Sequence, residues 1–143
     1  MVASRGVAHP PGYPLFTLLG HIANLVLPIS SVAFKVNLVS AFFGAATISA
    51  VFLIIHALTK RIAAAFFGSM LLALEAPFFL YSLVAEVFTL HAFLFALIIL
   101  LALRFLEKPS PKTLYITSFI LGLGFSNHHT ILLIIPALIL ILW

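Results

Sequence analysis

Cysteine is absent from this 143-residue chain. No disulfide framework can hold it, and thiols say nothing about its redox compartment. Charge is nearly as scarce, with seven bases and three acids making up 7% of the positions. A soluble domain carries typically about a quarter Asp, Glu, Lys and Arg, so this chain cannot build a water-facing surface of the usual kind. What it has instead is apolar bulk: hydrophobic residues fill 64% of positions, and mean hydropathy is +1.32. Lipid is the solvent in which apolar side chains on every face of a helix carry no penalty. The formal charge of +4 comes from bases scattered in small groups. They read as topology signals rather than as a nucleic-acid surface, and no nucleic-acid partner is expected.

The apolar residues fall in runs. At ~1.5 Å per residue, about 20 residues cross a hydrocarbon layer of ~30 Å. Membrane helices are expected over residues 31–58, 62–83, 87–106 and 112–126, with a last one over 130–143 that is cut short. Thr59-Lys60-Arg61 and the turn-rich Glu107-Lys108-Pro109-Ser110-Pro111-Lys112 separate them. The fold class is all-α, a polytopic transmembrane helix bundle. Residues 1–30 read as an external Pro-rich loop followed by an interfacial helix. The apolar run 15–27 carries Gly20, His21 and Asn24 and ends before Pro28, too short to span. With Arg5 before it and Ser31-Val32-Ala33 behind, the same run imitates a signal peptide. His9-Pro10-Pro11-Gly12 between charge and run, and the further membrane segments downstream, argue against cleavage.

Alternating crossings place Lys60, Arg61, Arg104, Lys108 and Lys112 at one face and Arg5 and Lys35 at the other. Five bases against two make the first face cytoplasmic. Residues 9–14, 83–87 and 127–130 then share the external face.

Few side chains here could carry chemistry. Glu86 is a carboxylate at a helix end, readable as an interfacial residue or as the mouth of an external cavity. Glu75 is expected about 16 Å below it on one continuous helix, with Pro77 a source of a kink. His128 and His129, between Asn127 and Thr130, form the densest polar cluster. A metal site is disfavoured because helical neighbours point about 100° apart and no Cys or carboxylate is near in sequence. Hydrogen bonding or phosphate recognition suits them better, and no metal or cofactor is expected. His91 stands about 140° around a helix from Glu86 and shares no face with it. His9 and Tyr13 sit in a stiff segment whose three prolines fix φ, either a plain linker or a loop held over the membrane surface.

Four stretches in order carry a resemblance: Gly6-Val7-Ala8-His9-Pro10-Pro11-Gly12-Tyr13-Pro14-Leu15, Val36-Asn37-Leu38-Val39-Ser40-Ala41, Ala85-Glu86-Val87-Phe88-Thr89-Leu90-His91, and Gly122-Leu123-Gly124-Phe125-Ser126-Asn127-His128-His129-Thr130. Together they resemble the DUF2723 membrane proteins, the protein O-mannosyltransferase-like group of the GT-C glycosyltransferase superfamily. Phe88 stands where that group usually has Tyr, Phe79 stands near a usual Trp, and Met1–Ala8 holds no acid. The resemblance implies a partial GT-C-like membrane domain over 1–143, from an enzyme moving a sugar off a polyprenyl-phosphate donor at the external face. The acidic base is expected upstream of Met1, with Glu86 as the candidate in this chain. His9, Tyr13, Asn127, His128 and His129 are candidate phosphate or sugar contacts. Membrane lipids and the polyprenyl-phosphate-linked sugar are the implied partners, the acceptor is open, and a bacterial or archaeal cell membrane is the expected location.

A non-catalytic transporter or assembly scaffold is the competing class. Transporters place ionisable groups and broken helices near the midplane. Most polar clusters here lie at one face, which suits a surface-reacting enzyme; Glu75 is the exception.

Overall fold

The computed structural model describes residues 12–28 and 31–142. Seven α-helices and one 3-10 segment follow one another there, and no strand occurs among the described residues. They are α1 (Pro14–Val26), α2 (Val32–Thr59), α3 (Ile62–Leu74), α4 (Ala76–Leu83), α5 (Phe88–Glu107), α6 (Pro111–Asn127), the 3-10 segment His129–Ile134 and α7 (Ile135–Leu142). The protein is thus an all-α membrane bundle. Helices α2 and α5 are long and apolar enough to cross a bilayer, and α3 with α4 would make a third span.

Local chemistry sets most boundaries. Pro14 and Pro111 open α1 and α6, where a missing N–H has no intrahelical partner to lose. Ser31 caps α2 by accepting from the Phe34 N–H at 3.4 Å. Lys60 ends α2 in the left-handed region, its N–H bonded to the His56 carbonyl at 2.8 Å.

Two expected spans take a different form. Residues 62–83 are not one helix: α3 and α4 meet at a 66° bend. Glu75 turns the chain with extended backbone, and its Oε2 accepts the Phe78 N–H at 2.7 Å, making it the cap of α4. Pro77 has no N–H for the preceding turn, so the helix breaks just ahead of it. Glu75 is exposed, and no continuous helix joins it to Glu86. The expected helix over 130–143 starts as 3-10, because Pro136 cannot donate to the Leu132 carbonyl; the Ile135 N–H takes that carbonyl instead.

Helix α2 packs against α1, α3, α4 and α5, and α5 against α6. Its buried face reads Val36, Ser40, Gly44, Thr47 and Ala50. These small residues let neighbouring backbones approach, as in membrane helix pairs generally. At Gly44 an added Cβ would stand 2.5 Å from Ser82 Oγ. The core runs along α5 through Leu90, Leu94, Ile98 and Ala102, closed by Phe16, Val36, Ile131 and Ile134. Leu71, Leu133 and Leu140 stay exposed, a surface suited to lipid.

Helices α2 and α5 run parallel. Near the start of each, Ser40 Oγ accepts from the Glu86 N–H at 3.2 Å and donates to the Glu86 carbonyl at 3.1 Å. At their far ends Lys60 Nζ meets Glu107 Oε1 at 3.3 Å. The bundle therefore has two chemically different ends.

Candidate functional site

The end marked by Ser40 and Glu86 gathers an aromatic and imidazole cluster. It begins at Tyr13, whose backbone lies in the left-handed region at φ 42°. Tyr13 precedes Pro14, which disfavours the right-handed helical conformation for it. Non-glycine residues seldom adopt this conformation, and where they do the surrounding structure enforces it. Here the ring is held over His128, with centroids 5.8 Å apart and planes 14° apart. His128 in turn stacks on His129 at 4.9 Å. Phe88 and His91, one helical turn apart in α5, reach the same imidazole at 6.3 Å and 5.2 Å.

His128 has extended backbone between α6 and the 3-10 segment, where its N–H bonds the Gly124 carbonyl at 2.8 Å. At Gly124 an added Cβ would meet the Ile131 side chain, which would have to turn to admit it. The ring's Nδ1 lies 2.7 Å from Thr130 Oγ1 and accepts the Thr130 N–H at 3.3 Å. Thr130 Oγ1 also lies 3.2 Å from His91 Nε2. Burial, then the nearby positive charge of His129, lowers the pKa of His128 below its ordinary value.

Tyr13, Pro14, Phe125, Ser126, Asn127, His128 and His129 line a cavity of about 380 Å³. Asn127 is 1% exposed; its amide donates to the Val87 carbonyl at 3.3 Å, and its Oδ1 has no partner among the described residues. Of the sequence candidates, Tyr13, Asn127, His128 and His129 thus meet around one cavity. His9 lies outside the described residues. Glu86 sits at the same end, but its backbone, not its carboxylate, is tied to Ser40, and it does not line the cavity.

Two residues escaped the sequence reading. Helical geometry relates His91 only to Glu86, yet Glu86 precedes α5 and His91 meets His128 instead. The four-residue span from Phe88 to His91 places both on one helical face, and that spacing was the available signal. Thr130, a flank of the histidine pair in the sequence, is the link between two imidazoles.

Beside this end an all-apolar groove of about 380 Å³ runs between α1 and α2, lined from Leu19, Ile22 and Val26 across to Leu38, Phe42 and Phe43. Lys35, 8% exposed, ties α1 to α2 by donating to the Asn24 carbonyl at 2.9 Å. At the opposite end, His56, Lys60, Arg104 and Glu107 border a smaller cavity of about 200 Å³. Among the described residues no three His, Cys, Asp or Glu side chains are placed to hold a metal ion. What the first end offers is hydrogen-bond donors and stacked rings beside an apolar trough. Such a set can recognise a phosphate or sugar carried on a hydrocarbon chain.

The chain is 38% identical over 138 residues to the protein O-mannosyl-transferase TMEM260 of Mus musculus, covering 94% of this chain and 20% of that protein. To the protein O-mannosyl-transferase tmem260 of Dictyostelium discoideum it is 28% identical over 145 residues, covering 91% of this chain and 18% of that one. It thus spans about a fifth of the length of these curated relatives. Their organisms lend no support to the expected bacterial or archaeal membrane. No solved structure matches. The model of the protein O-mannosyl-transferase TMEM260 N-terminal domain matches residues 1–143, and to that family this chain belongs.

Proposed function

We propose that this chain is the N-terminal membrane region of an enzyme that transfers mannose from a polyprenyl-phosphate donor to a protein acceptor at the external membrane face. The cavity bordered by Tyr13, Asn127, His128 and His129 carries the reading, because it gathers polar donors and stacked rings at one end of the bundle, and helix α1, which borders it at Pro14, also forms one wall of a separate apolar groove against α2. The relatives' names supply the sugar and the kind of acceptor. In this scheme the groove takes the start of the prenyl chain. His128 and His129 hold the phosphate, whose departure they ease by hydrogen bonding to the growing charge. Deprotonation of the acceptor hydroxyl falls to a carboxylate, for which Glu86 is this chain's candidate; its carboxylate makes no hydrogen bond or ion pair among the described residues. A transporter finds less support, because Glu75, the residue that would mark a pathway, is exposed and spent on capping α4.

The test is mannosyl transfer by the full-length protein from polyprenyl-phosphate mannose to a peptide. His128→Ala should raise donor KM roughly ten- to a hundred-fold, the worth of about 1.5–3 kcal/mol for a hydrogen bond to a charged group. Glu86→Gln should lower kcat with insertion intact, since Gln keeps the size but loses the proton-accepting oxygen. Unchanged kinetics in both variants would sink the assignment of this site.

A further inference from the structure

We infer that Thr130 and His91 act as positioning residues that lock His128 in one tautomer, leaving its Nε2–H as a fixed donor toward the cavity. The inference rests on reading that cavity as the donor-phosphate site.

The lock follows from counting protons. The Thr130 N–H points at His128 Nδ1 from 3.3 Å, so Nδ1 must present a lone pair. The Thr130 hydroxyl, 2.7 Å from the same nitrogen, has one proton and gives it to that lone pair. Its oxygen is then left only with lone pairs, and the 3.2 Å contact to His91 Nε2 requires that His91 carry its proton there. The opposite assignment would set the Thr130 N–H against an Nδ1–H. One further observation agrees. His91 Nδ1 is buried without a partner among the described residues. In this scheme it is a bare acceptor, which a fold tolerates better than a buried orphan N–H. Which nitrogen of an imidazole is protonated is set by the bond the other one makes. His128 Nε2, on the far edge of the ring, has no partner among the described residues, and the ring lines the cavity. A free His128 would divide between two tautomers, one of which presents a lone pair to a phosphate and repels it. Stacking by Tyr13 fixes the ring plane, while Thr130 and His91 fix its protons.

Nitrogen-15 NMR of histidine-labelled full-length protein in nanodiscs reads the tautomer without donor present, and steady-state transfer reads its consequence. The wild type should show His128 protonated at Nε2 only. Thr130→Val should admit the second tautomer and raise donor KM about two- to ten-fold, as for one lost neutral hydrogen bond, with kcat at saturating donor nearly unchanged. Thr130→Ser should restore both. Because a valine could disturb the fold, His91→Gln, which keeps an N–H donor, should behave as wild type while His91→Leu mimics Thr130→Val. A wild-type His128 protonated at Nδ1, or a tautomer indifferent to Thr130→Val and His91→Leu, overturns the lock. A tautomer that responds as described while His128→Ala leaves donor KM unmoved upholds the lock and overturns the donor-site reading, so the two failures separate.

Discussion

At the scale of single residues, the site spends unusual conformations on one imidazole. Tyr13 accepts a left-handed backbone to lie on His128, and the buried Oδ1 of the adjacent Asn127 has no partner among the described residues. His128 titrates below its ordinary range, first through burial and then through His129. The sign has two consequences. In the ligand-free fold a lowered pKa favours the neutral ring, so that contribution to stability is complete above about 6.5 and is lost as pH falls through the depressed value. Donor binding through the neutral ring's Nε2–H takes up no proton, since a second proton at Nδ1 would face the Thr130 N–H. Affinity for polyprenyl-phosphate mannose, a diester with no proton of its own to lose near neutrality, should therefore hold level from about pH 8 to about 6.5 and change only as pH falls through the depressed value, where a second proton breaks the Thr130 contact. His129, His91 and Tyr13 face the same ring, so the assignment needs His128→Gln, in which the slope should flatten. Titration by equilibrium binding checks it, and a slope unaltered in that variant points to another group.

Among the elements, what could be read in advance divides cleanly. The all-α bundle followed from scarce charge and long apolar runs, because lipid leaves helices as the economical way to satisfy backbone groups. The meeting of Tyr13 with Asn127, His128 and His129 was legible only as a shared face inferred from alternating crossings. The break at Glu75 was not legible in position: Pro77 announced a kink, but a carboxylate in an apolar stretch does not say whether it faces a pathway or caps the next helix. The His91–Thr130–His128 chain was hidden for a different reason, since it depends on how α5 and the 3-10 segment pack rather than on spacing along either. Packing also distinguishes glycines of equal appearance. An alanine Cβ at Gly44 would stand 2.5 Å from Ser82 Oγ and 3.0 Å from Ser82 Cβ, whereas at Gly122 nothing among the described residues lies within 4 Å. Gly44→Ala should force α4 away from α2 and cost about 1–3 kcal/mol. Gly122→Ala should be neutral or stabilise by up to ~1 kcal/mol through helix propensity. Unfolding midpoints in mixed micelles should order the proteins Gly122→Ala, wild type, Gly44→Ala; the reverse order would mean that α2 and α4 do not pack this closely.

Seen whole, the molecule is polarised, with stacked imidazoles at one end and Lys60, Arg104 and Glu107 at the other. The five bases expected to face the cytoplasm make that polarity a statement about topology. Lack of any native cysteine makes the measurement clean, since each introduced thiol is the only one in this chain. Single cysteines at positions 61 and 110 should react with an impermeant maleimide from the cytoplasmic side, and those at 12 and 128 from the other. Labelling of 12 and 110 from the same side is incompatible with this arrangement. Helix α1 gives the polarised body one more property. Tyr13 rests on His128 at its start, and Lys35 holds Asn24 near its finish, so α1 is a beam supported at both ends. A beam so held cannot swing as a flap. On the proposed reading, such bracing would preorganise the groove between α1 and α2, so that its walls lose little freedom on taking up a hydrocarbon chain. A lipid tail would enter sideways from the bilayer by displacing other chains, and hydrogen exchange along α1 should be as slow in the empty protein as in the filled one.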